Sequence, residues 1–191
     1  NIEAIKCQKK ERPALSFSDI EILKRHCNNI RNNAIISFLL ATGCRISEVF
    51  NLNREDIDFQ NKECTVLGKG NKERVIPISK ELKEKIQSYL ILKEEYIGNT
   101  SYFIVTDKGE QAYPNFIYRI VKESMGQVST QDKRSPHVMR HSFASSLLNN
   151  GADINAVKEL LGHANLSATQ IYTHTSFEQL KESYKKAHPR K

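Results

Sequence analysis

Six residues along the chain have side chains suited to handling a phosphate ester, and most lie where a helix or hairpin is expected to begin or end. His137 and Arg140 stand three apart in SPHVMRH, residues 135–141, at the predicted start of a helix. A helix N-terminus offers unpaired amides and the positive end of its dipole, and a guanidinium fork holds two oxygens of a tetrahedral anion at once. Arg45 follows Gly43, Lys69 falls at the tip of a predicted hairpin, and His163 follows Gly162. Taken singly, each of these is equally a partner for a helix dipole or a solvated side chain. Tyr172, nine residues after His163, is either core filler or a nucleophile. His141 lies one turn beyond His137, a spacing that suits a metal, but no third ligand or neighbouring Glu accompanies the pair, so no metal is expected.

The elements that must carry these residues are legible from period and punctuation. Ser18 with Glu21 three residues on forms a capping-box pattern, which predicts a helix from about Asp19 to Cys27. NAIISFLLATG is almost continuously apolar, as in a helix buried on most sides, and Gly43 is placed to end it with a left-handed residue. In RISEVFNL, Ile46, Val49 and Phe50 mark the core face, which leaves Arg45 and Glu48 together on another. The period then changes. ECTVL (63–67) and ERVIPI (73–78) read as strands joined by a hairpin loop at 68–72.

An amphipathic helix should run from Ser79 to about Tyr96, and GNTSYFIVTDKG carries one short strand at most. A further helix is expected from about Asn115 to Met125. Ser135 with Pro136 opens a helix ending at Gly151, and Asp153 opens another ending at Gly162. Ser167 and Ser176 read as two more N-caps. The expected fold class is therefore mainly α with a small antiparallel β-sheet (α+β), in a single domain.

The 191 residues suffice to bury a core without disulfides. The excess of 29 Lys and Arg over 22 Asp and Glu, +7, favours a polyanionic partner, either nucleic acid or an acidic membrane surface. No apolar run of about 18 residues and no signal-peptide pattern is present in the sequence, so a membrane span and secretion are not expected. The four cysteines are widely spaced with no CxxC pair, and are read as reduced in an intracellular protein.

Four segments, ATGCRISEV, GKGNKERVIPI, HVMRHSFAS and LGHANLSATQIYTH, occur in this order between about residues 12 and 180. Together they resemble the motif boxes of the tyrosine recombinase (phage integrase) family, with closest likeness to its Xer-like members. Four ordered boxes are far more specific than an isolated R-x-x-E or H-x-x-R. Cys44 and Met139 stand where the family more often has Leu, both conservative packing changes. The resemblance also implies a helical core-binding domain ahead of the catalytic domain, and none precedes residue 12 here. The expected layout is a linker at 1–12, a catalytic domain at 13–175, and a C-terminal helix with a basic tail at 176–191. Such a chain is expected to bind DNA poorly alone.

Carried over position by position, the resemblance implies that Tyr172 is the nucleophile and that Arg45 and Arg140 hold the scissile phosphate. Lys69, His137 and His163 would handle protons and the remaining oxygen contact. Two fixed guanidiniums around a phosphodiester, whose oxygens gather charge in the transition state, would be the largest electrostatic contribution. A tyrosine with a pKa near ~10 needs roughly 4 kcal/mol to become a free phenolate at pH 7, so a neighbouring base helps; His137 is the first candidate. Lys69 would protonate the departing 5′-hydroxyl, and Glu48 is expected to orient Arg45 rather than react. Ester is exchanged for ester, so no ATP is needed, and no cofactor or metal is expected.

Lys72, Lys133 and Arg134 are candidate contacts to flanking phosphates, because they are close in sequence to these boxes. The expected partners are double-stranded DNA and further protomers of the same protein, as a tetramer on paired DNA sites. The segment SFEQLKESYKKAH, with a capping box from Ser176 and Gln179, would form a helix that docks either on a neighbouring protomer or back on its own domain. Two other functions fit the residues less well: strand relaxation of the type IB topoisomerase kind, and a catalytically silent DNA-binding regulator.

Overall fold

A computed structural model describes residues 14–27, 29–128, 134–162, 182 and 184–187. The described elements are helices α1 (Phe17–His26), α2 (Ile30–Thr42), α3 (Ile46–Phe50), α4 (Lys80–Ile97), α5 (Pro114–Met125), α6 (Pro136–Asn149) and α7 (Ile154–Leu161). Strands β1 (Ile57–Asp58), β2 (Glu63–Leu67) and β3 (Glu73–Pro77) form an antiparallel sheet in that order. This is the expected mainly α architecture with a small sheet. Among the described residues, no helix is long and apolar enough to cross a membrane, and Cys27, Cys44 and Cys64 are free thiols.

The centre of the domain is α2. Its residues from Ala34 to Thr42 are all buried, which is why IISFLLAT shows no polar face. It packs between α4 and α6, and Phe38, Ile35, Ile36 and Leu39 are almost wholly removed from water. Burial of each such side chain contributes about 1.5–3 kcal/mol. A second, smaller core joins α6 and α7 through Phe143, Leu147, Val157, Leu160 and Leu161, and receives Tyr184 and Ala187 from the C-terminal segment. The Tyr184 hydroxyl donates to the carbonyl of Ala41 at 3.1 Å. Residues 184–187 thus fold back on their own chain.

Three local expectations are corrected. α1 begins two residues earlier than expected, because Ser16 rather than Ser18 is the N-cap; its side chain accepts from the Asp19 amide, and Asp19 reciprocates to the Ser16 amide. α6 stops at Asn149, with Gly151 at φ 85 in the following turn rather than at the helix end. A third strand, β1, pairs Ile57 with Cys64. Its two residues are too few to show a period of two. The hairpin and α4 follow the expected bounds closely, and α7 opens at Asp153 and closes at left-handed Gly162 as read. The caps assigned to Ser167 and Ser176 lie outside the described residues.

Candidate active site

The site begins where α2 ends. Gly43 takes φ 63, and a Cβ there would stand 2.5 Å from Cδ1 of Phe143 and 2.9 Å from Cδ2 of Leu161. Only glycine allows both the backbone conformation and the close approach of α6 and α7. The chain then turns through buried Cys44 into Arg45, the N-cap of α3. Glu48, at the third position of α3, accepts from the Arg45 amide at 2.8 Å and from Arg45 Nη1 at 2.9 Å. The sequence put these two on one face, and the structure joins them. Glu48 is only 3% exposed, so the contact is not a solvated surface pair.

Burial of Glu48 is answered by a residue that the sequence reading missed. Arg74 of β3 donates from Nη1 to Glu48 Oε1 at 2.9 Å and from Nη2 to Oε2 at 2.8 Å. Its Nε donates to the Leu160 carbonyl near the end of α7 at 2.8 Å, and the side chain is buried. Burial alone would raise the Glu48 pKa, but the hydrogen bonds from Arg74 and the Arg45 amide, with the two guanidinium charges, outweigh it and hold the carboxyl below its ordinary value. Burial likewise works against the Arg74 charge, and the hydrogen bond to Glu48 reverses that. Both groups are ionised. The signal was present in the strand period: Arg74 shares parity with Ile76, so it points inward, and an inward charge requires a partner.

Arg140, one turn into α6, completes the cluster. Nη1 donates to the Gly43 carbonyl at 2.6 Å and Nη2 to the Leu161 carbonyl at 2.5 Å. Among the described residues, two of its five N–H groups have acceptors, both of them main-chain oxygens at helix ends. Burial, then the charge of Arg45, lowers the Arg140 pKa to about 10, with Glu48 acting in the opposite direction. It stays protonated at neutral pH, in a pocket where three guanidiniums face one carboxylate. Such a pocket favours an anion, and the half-exposed guanidinium of Arg45, with 38% of its side chain open to solvent, gives the anion an approach. Cys44 beside Arg74 is no nucleophile: burial pushes its thiol up to about 11.

The other expected site residues divide into two groups. His137 is exposed in the first turn of α6, three residues before Arg140. Lys69 and Lys72 are exposed in the loop between β2 and β3. The base of that loop touches the cluster, since a Cβ on Gly68 would come within 3.4 Å of Arg74 Nη1 and 3.8 Å of Glu48 Oε1. Arg134 is half-buried and donates to the Gly126 carbonyl at 3.4 Å. Lys133, His163 and Tyr172 lie outside the described residues. Gly162, which immediately precedes His163 in sequence, packs against Arg74 with its Cβ position 3.1 Å from Nη1. Among the described residues no group of His, Cys, Asp and Glu side chains is arranged to hold a metal.

The chain is similar to known tyrosine recombinases. The chain is 38% identical over 172 residues to the tyrosine recombinase XerC of Chlorobaculum parvum, covering 86% of this chain and 51% of that protein. It is 41% identical over 163 residues to the XerC of Staphylococcus aureus, covering 85% and 55%. The chain thus spans about half the length of these relatives. Among solved structures, it superposes on the XerA recombinase with a TM-score of 0.75 at 34% identity, covering 94% of this chain and 66% of that one. The integrase of mycobacterium phage Brujita gives 0.77 at 26% identity, covering 97% and 61%. Residues 14–179 match the phage integrase family, and the chain belongs to that family.

Proposed function

We propose that this chain is the catalytic part of a site-specific DNA recombinase that breaks and rejoins strands through a covalent 3′-phosphotyrosine. The observation that carries this reading is the pairing of Arg45 with Arg140, one held by Glu48 and the other by the carbonyls of Gly43 and Leu161. Preorganised donors of this kind stabilise charge that develops on a phosphoryl group without reorganising during the reaction. Similarity to proteins named XerC, and to a XerH site-specific recombinase bound to its difH substrate (TM-score 0.69, 26% identity), supports double-stranded DNA as the substrate.

In this scheme the Tyr172 hydroxyl attacks the scissile phosphorus and His137 takes the phenol proton. The bond from phosphorus to O5′ breaks as Lys69 delivers a proton to the departing oxygen, leaving a phosphotyrosine and a free 5′-hydroxyl. Arg45 and Arg140 hold the non-bridging oxygens, with His163 as the further oxygen contact. Attack by a 5′-hydroxyl of another strand reverses the step and reseals the backbone. Lys72, Lys133 and Arg134 serve phosphates beside the cleaved one. Residues 13–175 form the catalytic unit, and four protomers assemble on paired sites in the cytoplasm at the nucleoid. The packing of Tyr184 and Ala187 favours a tail that folds on its own domain.

The test uses the full gene product and a pool of nicked suicide duplexes tiled across the DNA flanking its gene. Wild type is expected to give a protein–DNA adduct that survives denaturation. Tyr172→Phe is expected to retard the same duplex on a native gel and give no adduct. Binding with no adduct from wild type would overturn the reading in favour of a silent regulator. Rapid plasmid relaxation with no defined site would overturn it in favour of a topoisomerase.

A further inference from the structure

We propose that Arg74 is a positioning residue that keeps the charge of Arg45 available to the scissile phosphate. The proposal rests on the recombinase reading above and adds a residue which that reading does not use. Glu48 is shared: Oε1 accepts from Nη1 of both Arg45 and Arg74, and Oε2 accepts from Arg74 Nη2 and the Arg45 amide. With Arg45 alone, Glu48 would form a neutral pair, and the guanidinium facing the substrate would have its charge cancelled. Arg74 supplies the second positive charge, so the triad carries a net +1 and that excess sits on its solvent-facing member. Arg45 is 38% open while the side chains of Arg74 and Glu48 are 7% and 2% exposed.

Geometry assigns Arg74 a second task. Its Nε holds the Leu160 carbonyl, and its Nη1 lies against Gly68 and Gly162. One buried fork therefore joins the strand that follows the Lys69 loop, the helix that begins after Arg45 and the end of the helix that precedes His163. Replacement of a buried ion pair by apolar side chains is often neutral or stabilising, so stability alone is a weak reason for such an arrangement. Keeping the charge of Arg45 uncancelled is a stronger one, because the bidentate contact from Arg74 offsets the carboxylate that Arg45 also touches.

The test is single-turnover adduct formation by the full gene product on the duplex recovered from the pool. Two versions are used, one with a phosphodiester and one with a methylphosphonate at the scissile position. The methylphosphonate has no non-bridging negative charge for Arg45 to offset. Arg74→Gln is expected to slow adduct formation about 100-fold on the phosphodiester, the scale of losing one preorganised donor, and less than about 5-fold on the methylphosphonate. Glu48→Gln/Arg74→Gln removes both charges of the pair, returns the full charge to Arg45, and is expected to recover at least about 10-fold of the phosphodiester loss. Near-UV circular dichroism checks the fold. If Arg74→Gln is not native, Arg74→Lys, which keeps the charge without the fork, carries the same comparison with a smaller expected loss. Equal losses on both substrates, with no recovery in the double variant, would overturn the proposal and leave the recombinase reading intact. A wild type that captures no duplex would instead overturn the recombinase reading, and with it the role of Arg74 in that reaction.

Discussion

Arg140 Nη1 donates to the Gly43 carbonyl across 2.6 Å, tying α6 to the turn that ends α2. The same guanidinium holds Leu161 at the end of α7, so its direction is set by backbone rather than by flexible side chains. Arg140→Lys is therefore expected to fail as a replacement, since one ammonium cannot span two carbonyls and a phosphate. Adduct formation should fall about 100-fold to 1000-fold for Arg140→Lys or Arg140→Ala. Single-turnover kinetics on a suicide duplex, with a native gel as the control for binding, measure it.

Glu48 makes a signed prediction about pH. Its folded pKa is lowered and its unfolded value is near ~4.3, so its stabilising contribution is fully present above ~4.3 and is lost as pH falls through the lower folded value. The stability gap between wild type and Glu48→Gln should be flat above about pH 5 and narrow below about pH 4. Urea unfolding at several pH values reads it. A gap that widens on acidification would contradict the ionised, doubly paired carboxylate.

Lys69 is exposed in the hairpin loop and is assigned the proton for the departing 5′-oxygen. Lys69→Ala should slow cleavage of an ordinary duplex by about 100-fold or more, within the span usual for a general acid. A substrate with sulfur in place of that bridging oxygen has a leaving group that needs no proton, and should be cleaved by Lys69→Ala nearly as fast as by wild type. Equal impairment on both substrates would move the acid elsewhere.

Tyr184 separates structural from reactive tyrosine. It is buried in the second core, where desolvation raises its pKa, and its hydroxyl caps the Ala41 carbonyl. Tyr184→Phe should cost about 1 kcal/mol of stability for the lost hydrogen bond, and Tyr184→Ala about 3–5 kcal/mol for the emptied aromatic site. Adduct formation by Tyr184→Phe should remain at the wild-type level. Denaturant midpoints and adduct yield test the two halves of this statement.

Legibility in the sequence followed the kind of signal each residue gave. Gly43, Gly162, Ser79 and Asp153 were readable because caps are local chemistry, settled within one helical turn. Ser16 was overlooked because Ser18 with Glu21 gives the same pattern two residues on, and only the orientation of the first turn against the core separates them. Arg45 and Glu48 were placed on one face by spacing, but the burial of Glu48 depends on β3 and α7, which arrive from elsewhere in the chain. Arg74 gives a partial signal: parity with Ile76 turns it inward, but its carboxylate partner lies on α3, 26 residues earlier in the chain.

The three backbone anchors of the guanidinium cluster are the carbonyls of Gly43, Leu160 and Leu161, grasped by side chains 97, 86 and 21 residues away along the polypeptide. Residues 43–74 hold Arg45, Glu48, Arg74 and the Gly43 carbonyl, whereas Arg140 and the carbonyls of Leu160 and Leu161 come from α6 and α7. A chain that stops short of α6 lacks Arg140, and it leaves Arg74 without its hold on the Leu160 carbonyl. The arginine cluster is therefore complete only once α6 and α7 have been translated.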